Sequence, residues 1–439
     1  MPKNRKVPKK RTRTPTFWAT PKLRPFAMRF VPLESGDAVC VCLTFAVGMD
    51  TARDPRAAQL AHYAEHLCAS LGRRVQRELE LAAVSPNAWT DGDLTCFFAV
   101  GGVDAVSRVW LPAILASLRA PDLSDARLRN EARAALAEVE LAAQAPRAGL
   151  KELIARVEAP RSGEADSAAQ SAFLARLARS PAQARARVAR FVRAHYAPER
   201  AHALAIAHPR HRAALVAALE AALEAAPEAA PEAAPEALSL AAHPESARAG
   251  FEYGVWHAAR GTGQAHVEVR LAMLASEPPE VAECAAAIVQ ALMMRSLRER
   301  RGLVYHVRVF AANHARSRAE RESGLFRAWM CVATSCDPCR AEEVARAILE
   351  RARRASASAA RIEAWRRGVR LAQHATPRAI AELAAGFVRD CAEGWPVRTP
   401  AEFARAADAM ADAPVRAAVR RVRESALRGQ FVVYSHGAA

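Results

Sequence analysis

Two histidines and one glutamate stand close together in the segment HYAEH, residues 62–66. In a helix, positions i and i+4 project from the same face, so the imidazoles of His62 and His66 would lie about one turn apart. That geometry suits two ligands of one tetrahedral zinc ion. Glu65 lies on the same face and can accept a proton from a metal-bound water. The spacing predicts metal-assisted hydrolysis; its alternative is an exposed helix with ordinary polar residues.

A catalytic zinc ion usually takes three protein ligands, so a third must come from elsewhere in the chain. The candidates are Glu131, Glu138 and Glu140, in a helix predicted at Arg127–Gln144. Glu131 and Glu138 are seven residues apart and share a face, whereas Glu140 points about 200° away from Glu138. We predict Glu138 as the ligand and Glu131 as a residue that orients the site. Glu140 as ligand is the main alternative, and all three can also be plain surface acids.

A helix must carry residues 62–66, with strands packed beside it. Asp54 and Pro55 are favourable for a helix N-cap and first turn, and Gly72 is a favourable stop, which predicts a helix at Pro55–Leu71. Apolar runs predict the strands of this half of the chain. These strands are Ala38–Val47, Ala88–Val100 and Ala203–Ala207.

The second half of the chain has a similar order of elements. Apolar residues alternate with others between Val267 and Met273, as in a half-buried strand, and a helix follows at Pro279–Arg300. The strands predicted here are Ala265–Ala275, Tyr305–Ala311, Gly324–Thr334 and Gln430–Tyr434. The shared order predicts an α+β fold of two homologous sheet-plus-helices domains that arose by internal duplication.

Low-complexity sequence marks the boundary between the halves. Residues 224–237 read EAAPEAAPEAAPEA, and proline at this spacing interrupts a helix and favours an exposed, semi-stiff spacer. The predicted domains are a basic disordered tail at 1–25, a catalytic zinc domain at 26–223, a linker at 224–244 and a C-terminal domain at 245–439.

Composition limits the classes of function. The chain has 439 residues and a net charge of +17, and residues 1–25 carry nine basic residues and no acidic one. This tail is interpreted as a solvated arm; an organelle presequence or an arm for nucleic acid or an anionic surface are alternatives. The sequence contains no apolar run of about 18 residues, so it predicts no transmembrane helix. Nine scattered cysteines favour reduced thiols and a cytoplasmic location, with an organelle matrix as the alternative.

Two further patterns are weaker metal candidates. Cys336 and Cys339 form the only C-x-x-C motif, and since a zinc knuckle needs a second pair, a loop before a helix is the preferred interpretation. His208 and His211 follow a predicted strand, where an ordinary loop is again preferred.

The chain resembles the insulinase/pitrilysin-like metallopeptidases, the H-x-x-E-H group that includes the mitochondrial processing peptidases. The helix at 62–66 and the acids Glu131 and Glu138 match the zinc motif and the two downstream acids. Residues 87–90, NAWT, resemble the family's N-A-x-T stretch, and residues 298–305, RERRGLVY, resemble its R-E-x-x-G-L-x-Y segment. The resemblance covers roughly residues 26–439. Residues 83–86, AVSP, differ from the Gly-Gly pair that often precedes N-A-x-T.

The resemblance implies a zinc-dependent endopeptidase with one Zn²⁺ per chain and one half-shell of a closed peptidase chamber. A second half-shell must then come from a homodimer or from a heterodimer with a related subunit. The resemblance implies a catalytic metal in the N-terminal domain and none in the C-terminal domain. The expected site residues are His62, His66 and Glu138 as metal ligands, Glu131 beside them, Glu65 as general base, Asn87, Ala88 and Thr90 on the substrate strand, and Arg298 and Tyr305 on the substrate.

Each of these roles has an alternative. Tyr305 can be a core aromatic residue and Arg298 one more arginine of an arginine-rich helix. A scaffold or partner subunit without catalysis is the first rival function, and the intact set of zinc residues argues against it. A nucleic-acid-binding protein is the second, but no aromatic-interleaved basic strand supports it. The expected partner is therefore a peptide substrate; no membrane partner is expected, and the sequence argues against nucleic acid.

Overall fold

The structure is a computed structural model that describes residues 28–33, 36–49, 59–90, 94–144, 167–224, 254–258, 265–274, 278–313, 327–372, 384, 386–388, 398–427 and 432–436. The predicted tail, nearly all of the predicted linker and the helix start at Asp54 and Pro55 lie outside these residues. Within them, two five-stranded sheets, each packed against helices, form the fold.

The first sheet has the strand order β1-β5-β2-β4-β3. Strand β1 is parallel to β5, and the other neighbours are antiparallel. The odd-numbered residues of β2 from Val39 to Phe45 face a helical core, while Cys40 and Cys42 face the other side of the sheet, as the two-residue period of a strand requires. The five strands are β1 Arg29–Pro32, β2 Ala38–Phe45, β3 Ser85–Thr90, β4 Thr95–Gly102 and β5 His202–Ala207.

Helices cover one face of this sheet and supply the rest of its core. Alanine, leucine and arginine dominate them, and such residues lose little side-chain entropy in a helix. The main helices of this half are α1 Gln59–Ala69, α2 Arg73–Leu81, α3 Leu111–Arg119, α4 Asp125–Gln144, α5 Ser167–Arg179, α6 Pro181–His195 and α7 Arg212–Glu224, and a π-helical stretch at Val106–Trp110 leads into α3.

The second sheet has the order β6-β10-β7-β9-β8, which repeats the order of the first sheet strand for strand. Its single parallel pair, β6 with β10, also occupies the equivalent place. The strands are β6 Gly254–Ala258, β7 Ala265–Leu274, β8 Val307–Asn313, β9 Arg327–Cys336 and β10 Val432–His436. The main helices are α8 Pro279–Met293, α9 Ala341–Arg353, α10 Ala359–Ala372, α11 Pro400–Ala409 and α12 Asp412–Leu427, with a π-helical stretch at Met294–Arg300 after α8.

The repeated order confirms the predicted α+β fold of two related sheet-plus-helices units. The exact domain limits stay predictions. The halves also touch, since Phe387 and Val388 pack on the face of the first sheet that carries Cys40 and Cys42. That contact explains why both faces of the central strand β2 are buried.

Three elements differ from their predicted forms. The single strand predicted at Ala88–Val100 is a hairpin of β3 and β4, and the intervening residues 91–93, DGD, are typical turn formers. The helix predicted at Pro279–Arg300 changes from α-helical to π-helical at Met294. Tyr305 was predicted to begin a strand, but it precedes β8 and its side chain is exposed.

Candidate metal centre and active site

Helices α1 and α4 bring the predicted metal ligands together. Buried Tyr63 on α1 donates a 2.7 Å hydrogen bond to the backbone carbonyl of Leu128 on α4, which ties the two helices together. His62 and His66 on α1 approach Glu138 of the same helix α4, which lies 76 positions after His62 in the chain. The predicted helical spacing therefore places all three side chains at one point.

The ligand atoms lie at distances that suit one metal ion. The Nε2 atoms of His62 and His66 are 3.1 Å apart, and Glu138 Oε2 lies 3.2 Å from the first and 3.5 Å from the second. A tetrahedral zinc ion with bonds of about 2.0–2.2 Å separates its ligand atoms by about 3.3–3.6 Å. The three separations agree with these edges to within about 0.2 Å.

The neighbours of the outer imidazole nitrogens influence what the inner nitrogens present. His62 Nδ1 is hydrogen-bonded to the side-chain oxygen of Gln59 at 2.8 Å, and His66 Nδ1 lies at ion-pair distance, 3.7 Å, from a carboxylate oxygen of Glu131. Because both neighbours are acceptors, they favour a proton on each Nδ1 and a lone pair on each Nε2. Two nitrogen lone pairs and a carboxylate then converge, and this donor set can hold a metal cation.

Glu131 supports this group from behind His66. It accepts a 2.8 Å hydrogen bond from Ser70 and pairs with Arg127, which itself donates to Ser70 at 2.7 Å. Burial opposes ionisation of Glu131, but the ion pair with His66 and the hydrogen bond from Ser70 outweigh it and lower its pKa. Glu131 is thus held as an anion that orients His66.

The two histidines differ electrostatically. Burial, followed by the nearby His66, lowers the pKa of His62, which keeps its ring neutral and able to act as a ligand. Burial also opposes protonation of His66, but its ion pair with Glu131 and the charges of Glu65 and Glu138 outweigh burial and raise its pKa.

Glu65 lies beside the metal group and is only 6% exposed. Burial raises the pKa of this carboxyl to about 7, against the opposing effects of His66 and of a 3.2 Å hydrogen bond donated by Thr90. A carboxyl group with a pKa near neutrality can both accept and return a proton at physiological pH. Glu65 is therefore suited to act as a general base.

A chain of hydroxyl groups holds Thr90 in place. Thr90 lies 3.3 Å from Thr95, and Thr95 donates to the backbone carbonyl of Val47 at 2.8 Å. Buried Tyr196 donates to Thr95 at 3.0 Å and lies 3.1 Å from the carbonyl of Ala61 on α1. Each threonine hydroxyl has one proton: Thr95 donates its proton to Val47, and Thr90 donates its proton to Glu65.

A cleft of about 510 Å³ opens over these residues. One wall is β3, which among the described strands pairs only with β4, so its other edge is free of any strand in that part of the chain. The cleft is lined by the acids and histidines of the metal group, by β3, and by apolar and small residues of the core: His62, Glu65, His66, Ala69, Ser70, Gln76, Pro86, Asn87, Ala88, Trp89, Thr90, Phe97, Trp110, Ile114, Glu131 and Glu138.

The predicted substrate residues of the second half lie apart from this cleft. The guanidinium of Arg298 stacks on the ring of Tyr305 at 5.0 Å, and Tyr305 is 83% exposed. Exposure excludes the alternative that Tyr305 is a core aromatic residue. The described residues that line the cleft run from His62 to Glu138, and neither Arg298 nor Tyr305 is among them.

The weaker candidates do not form comparable groups in the described residues. Glu140 is exposed and is not a member of the described metal cluster, unlike Glu138 on the same helix. Arg210 separates His208 from His211, because its backbone N–H donates to the first ring and its side chain to the second. Cys336 is buried at the end of β9, whereas Cys339 is exposed in a short 3₁₀ turn between β9 and α9.

No protein-family model matches the sequence, and no curated protein does. Solved structures do match. The periplasmic protease PqqL from Escherichia coli is 12% identical with a TM-score of 0.62, over 91% of this chain but only 42% of PqqL. An inactive domain of peptidase M16 from Pseudomonas fluorescens is 16% identical with a TM-score of 0.66, over 93% of this chain and 95% of that domain.

A chain of complex III2 from Candida albicans is also similar, at 13% identity and a TM-score of 0.66, over 93% of both chains. Structural similarity at such low sequence identity establishes the fold alone. The chain has the insulinase-like fold of M16 peptidase domains, as the sequence resemblance implied. Among the described residues, no helix has the length and apolar character needed to span a membrane.

Sequence reasoning missed Gln59, Thr95 and Tyr196. Gln59 stands three residues before His62, so its helical spacing was a usable signal. The other two act through partners distant in sequence, for which a single sequence gives no signal.

Proposed function

We propose that this chain is a zinc-dependent endopeptidase that hydrolyses peptides or unfolded polypeptide segments. The observation that carries the proposal is the convergence of His62, His66 and Glu138 at tetrahedral spacing, directly beside the buried carboxyl of Glu65. This combination supplies a Lewis-acid position and a general base on one wall of an open cleft.

His62, His66 and Glu138 would hold the zinc ion, one per chain, and Glu131 would keep His66 oriented. Bound zinc polarises a carbonyl group and lowers the pKa of water. Glu65 accepts a proton from the attacking water and returns it to the departing amine as the C–N bond breaks. Thr90 holds the carboxylate in place through its hydroxyl group.

The free edge of β3 would bind the substrate as an added antiparallel strand. Pro86 has no N–H, so it cannot donate across the edge. The N–H of Ala88, two residues later, meets the side-chain oxygen of Asn87 at 2.8 Å instead of a strand partner. A substrate carbonyl can take that hydrogen bond, which places Asn87, Ala88 and Thr90 along the bound peptide.

Arg298 and Tyr305 would reach the substrate from a second copy of the chain. They are exposed, stacked on each other and absent from the lining of their own cleft. Because one chain carries both the metal group and this pair, a homodimer can supply two complete sites; a related subunit is the other possible partner. In either assembly, Arg298 and Tyr305 would stabilise negative charge on the substrate carbonyl.

A scaffold or partner subunit without catalysis is the second candidate function. Its support is the similarity to an inactive M16 domain and to a chain of complex III2. The convergent donor set favours the enzyme, since a scaffold has no need of two lone-pair nitrogens and a carboxylate facing one another.

Hydrolysis of a mixed peptide library tests the proposal. Purified protein is assayed as isolated, after chelation, and after addition of one equivalent of zinc. We expect cleavage that chelation abolishes and zinc restores. Cleavage that persists in metal-free protein would contradict the proposal. If the homodimer cleaves no peptide as isolated, after chelation or after zinc addition, the scaffold function would be favoured.

A further inference from the structure

We propose that Gln59, held by Gln170, is a positioning residue that fixes the tautomer and the ring orientation of His62 for metal binding. This inference rests on the proposed metal site and adds to it a support that the zinc motif does not contain. Both glutamines are buried, at 3% and 8% exposure, and neither is explained by the hydrophobic core around them.

The three side chains form a continuous relay. Gln170 Oε1 on α5 accepts from Gln59 Nε2 at 3.1 Å, and Gln59 Oε1 accepts from His62 Nδ1 at 2.8 Å. Gln59 and His62 are i and i+3 on α1, whereas Gln170 lies 111 positions further along the chain than Gln59. The relay therefore links the orientation of a metal ligand to the packing of α5 against α1.

The orientation of the Gln59 amide follows from its surroundings. Its Nε2 atom lies near two acceptors, Gln170 Oε1 at 3.1 Å and the sulfur of Met49 at 3.5 Å. The thioether of Met49 cannot donate a hydrogen bond, so the amide nitrogen faces it and the amide oxygen faces His62. His62 must then carry its proton on Nδ1, and its Nε2 lone pair points at His66 and Glu138.

A glutamine suits this position better than an acid. His66 already has the carboxylate of Glu131 behind it, and Glu65 and Glu138 add two more carboxyl groups nearby. A fourth carboxylate in this buried region would be costly to desolvate. A neutral amide supplies the acceptor that fixes the tautomer without adding charge. Outer hydrogen-bond partners of metal-bound histidines typically contribute 10- to 100-fold to metal affinity.

The test is zinc affinity, measured by competition of Zn²⁺ with a chromophoric chelator, at a temperature where every variant is folded. We expect Gln59→Met, which keeps the size and removes the acceptor, to weaken zinc binding about 10- to 100-fold. Gln76→Met is the matched control, because Gln76 lines the same cleft on the exposed side of α2. It should bind zinc as the wild type does.

Gln170→Met separates positioning from general loosening. If Gln170 acts only through Gln59, its substitution has a smaller effect than Gln59→Met, and the double variant binds zinc no more weakly than Gln59→Met. Independent, additive losses in the double variant would overturn the relay.

A spectroscopic readout does not need zinc at all. Long-range ¹H–¹⁵N spectra of the metal-free protein are recorded at a pH where the His62 ring is neutral. They should show the Nδ1-protonated tautomer in the wild type, and that tautomer should no longer be fixed in Gln59→Met. Wild-type zinc affinity in Gln59→Met, or a wild-type His62 protonated at Nε2, would overturn the inference and leave the proposed function standing. Failure of the wild type to bind zinc would instead refute the proposed function.

Discussion

Replacing Glu138 by glutamine removes the only anionic donor among the three metal ligands and keeps the length of the side chain. The side chain is 59% exposed, so the substitution disturbs no core packing. Under the proposed function, zinc would link α1 to α4, and any ligand that binds only the folded state stabilises it. At free zinc of about 1,000 times Kd, the stabilisation is about 4.1 kcal/mol. In a domain of about 200 residues this corresponds to a rise in Tm of about 8–16 °C.

The expected loss follows from the role of Glu138 as a direct ligand. Residues behind metal-bound histidines contribute 10- to 100-fold, so loss of a direct ligand should weaken binding at least about 100-fold. At the same zinc concentration the remaining stabilisation is then at most about 1.4 kcal/mol. The rise in Tm on adding zinc should fall to about 3–6 °C or less.

Thermal unfolding with and without zinc, after removal of bound metal, measures this effect. Glu140→Gln is the control, since it makes the same chemical change two residues further along the same helix, on an exposed side chain outside the metal group. A full zinc response in Glu138→Gln, or an equal loss in Glu140→Gln, would refute the assignment of Glu138.

Three further predictions concern catalysis. Thr90→Val removes the donor to Glu65 and should lower kcat about tenfold with little change in KM, whereas Thr90→Ser should retain activity; equal losses in both would contradict a positioning role. Ala88→Pro removes an outward N–H from β3 and should raise KM for peptides more than it lowers kcat, and an unchanged KM would argue against strand addition. Mixing inactive Glu65→Gln and Tyr305→Phe chains should restore about a quarter of wild-type activity if each site draws on two copies, because half of the dimers then contain one intact site. No recovery would place the whole site in one chain.

The parts of the site that the sequence predicts are those set by local spacing. His62, Glu65 and His66 follow from one helical turn, and Glu131 with Glu138 from two turns of another helix. Their geometry depends only on the helix being formed. The second helix was also proposed from spacing, but spacing left Glu140 open as an alternative ligand, and the resemblance supported the choice of Glu138.

The parts that escaped prediction depend on distant pairings. Gln59 meets Gln170 across 111 positions, and Tyr196 meets Thr95 across 101. No periodicity within one element encodes such contacts. In the same way, the alternation of apolar residues predicted strands correctly but did not separate β3 from β4, because turn chemistry and strand pairing decide where a hairpin bends.

The most direct test of the central claim compares peptide hydrolysis by the wild type and by Glu65→Gln, with the zinc content of both proteins measured. In the proposed mechanism Glu65 is the general base and not a metal ligand, so the variant should keep one zinc per chain while its turnover falls about 10²- to 10⁴-fold. Equal cleavage by the two proteins at equal zinc content would contradict the proposed mechanism.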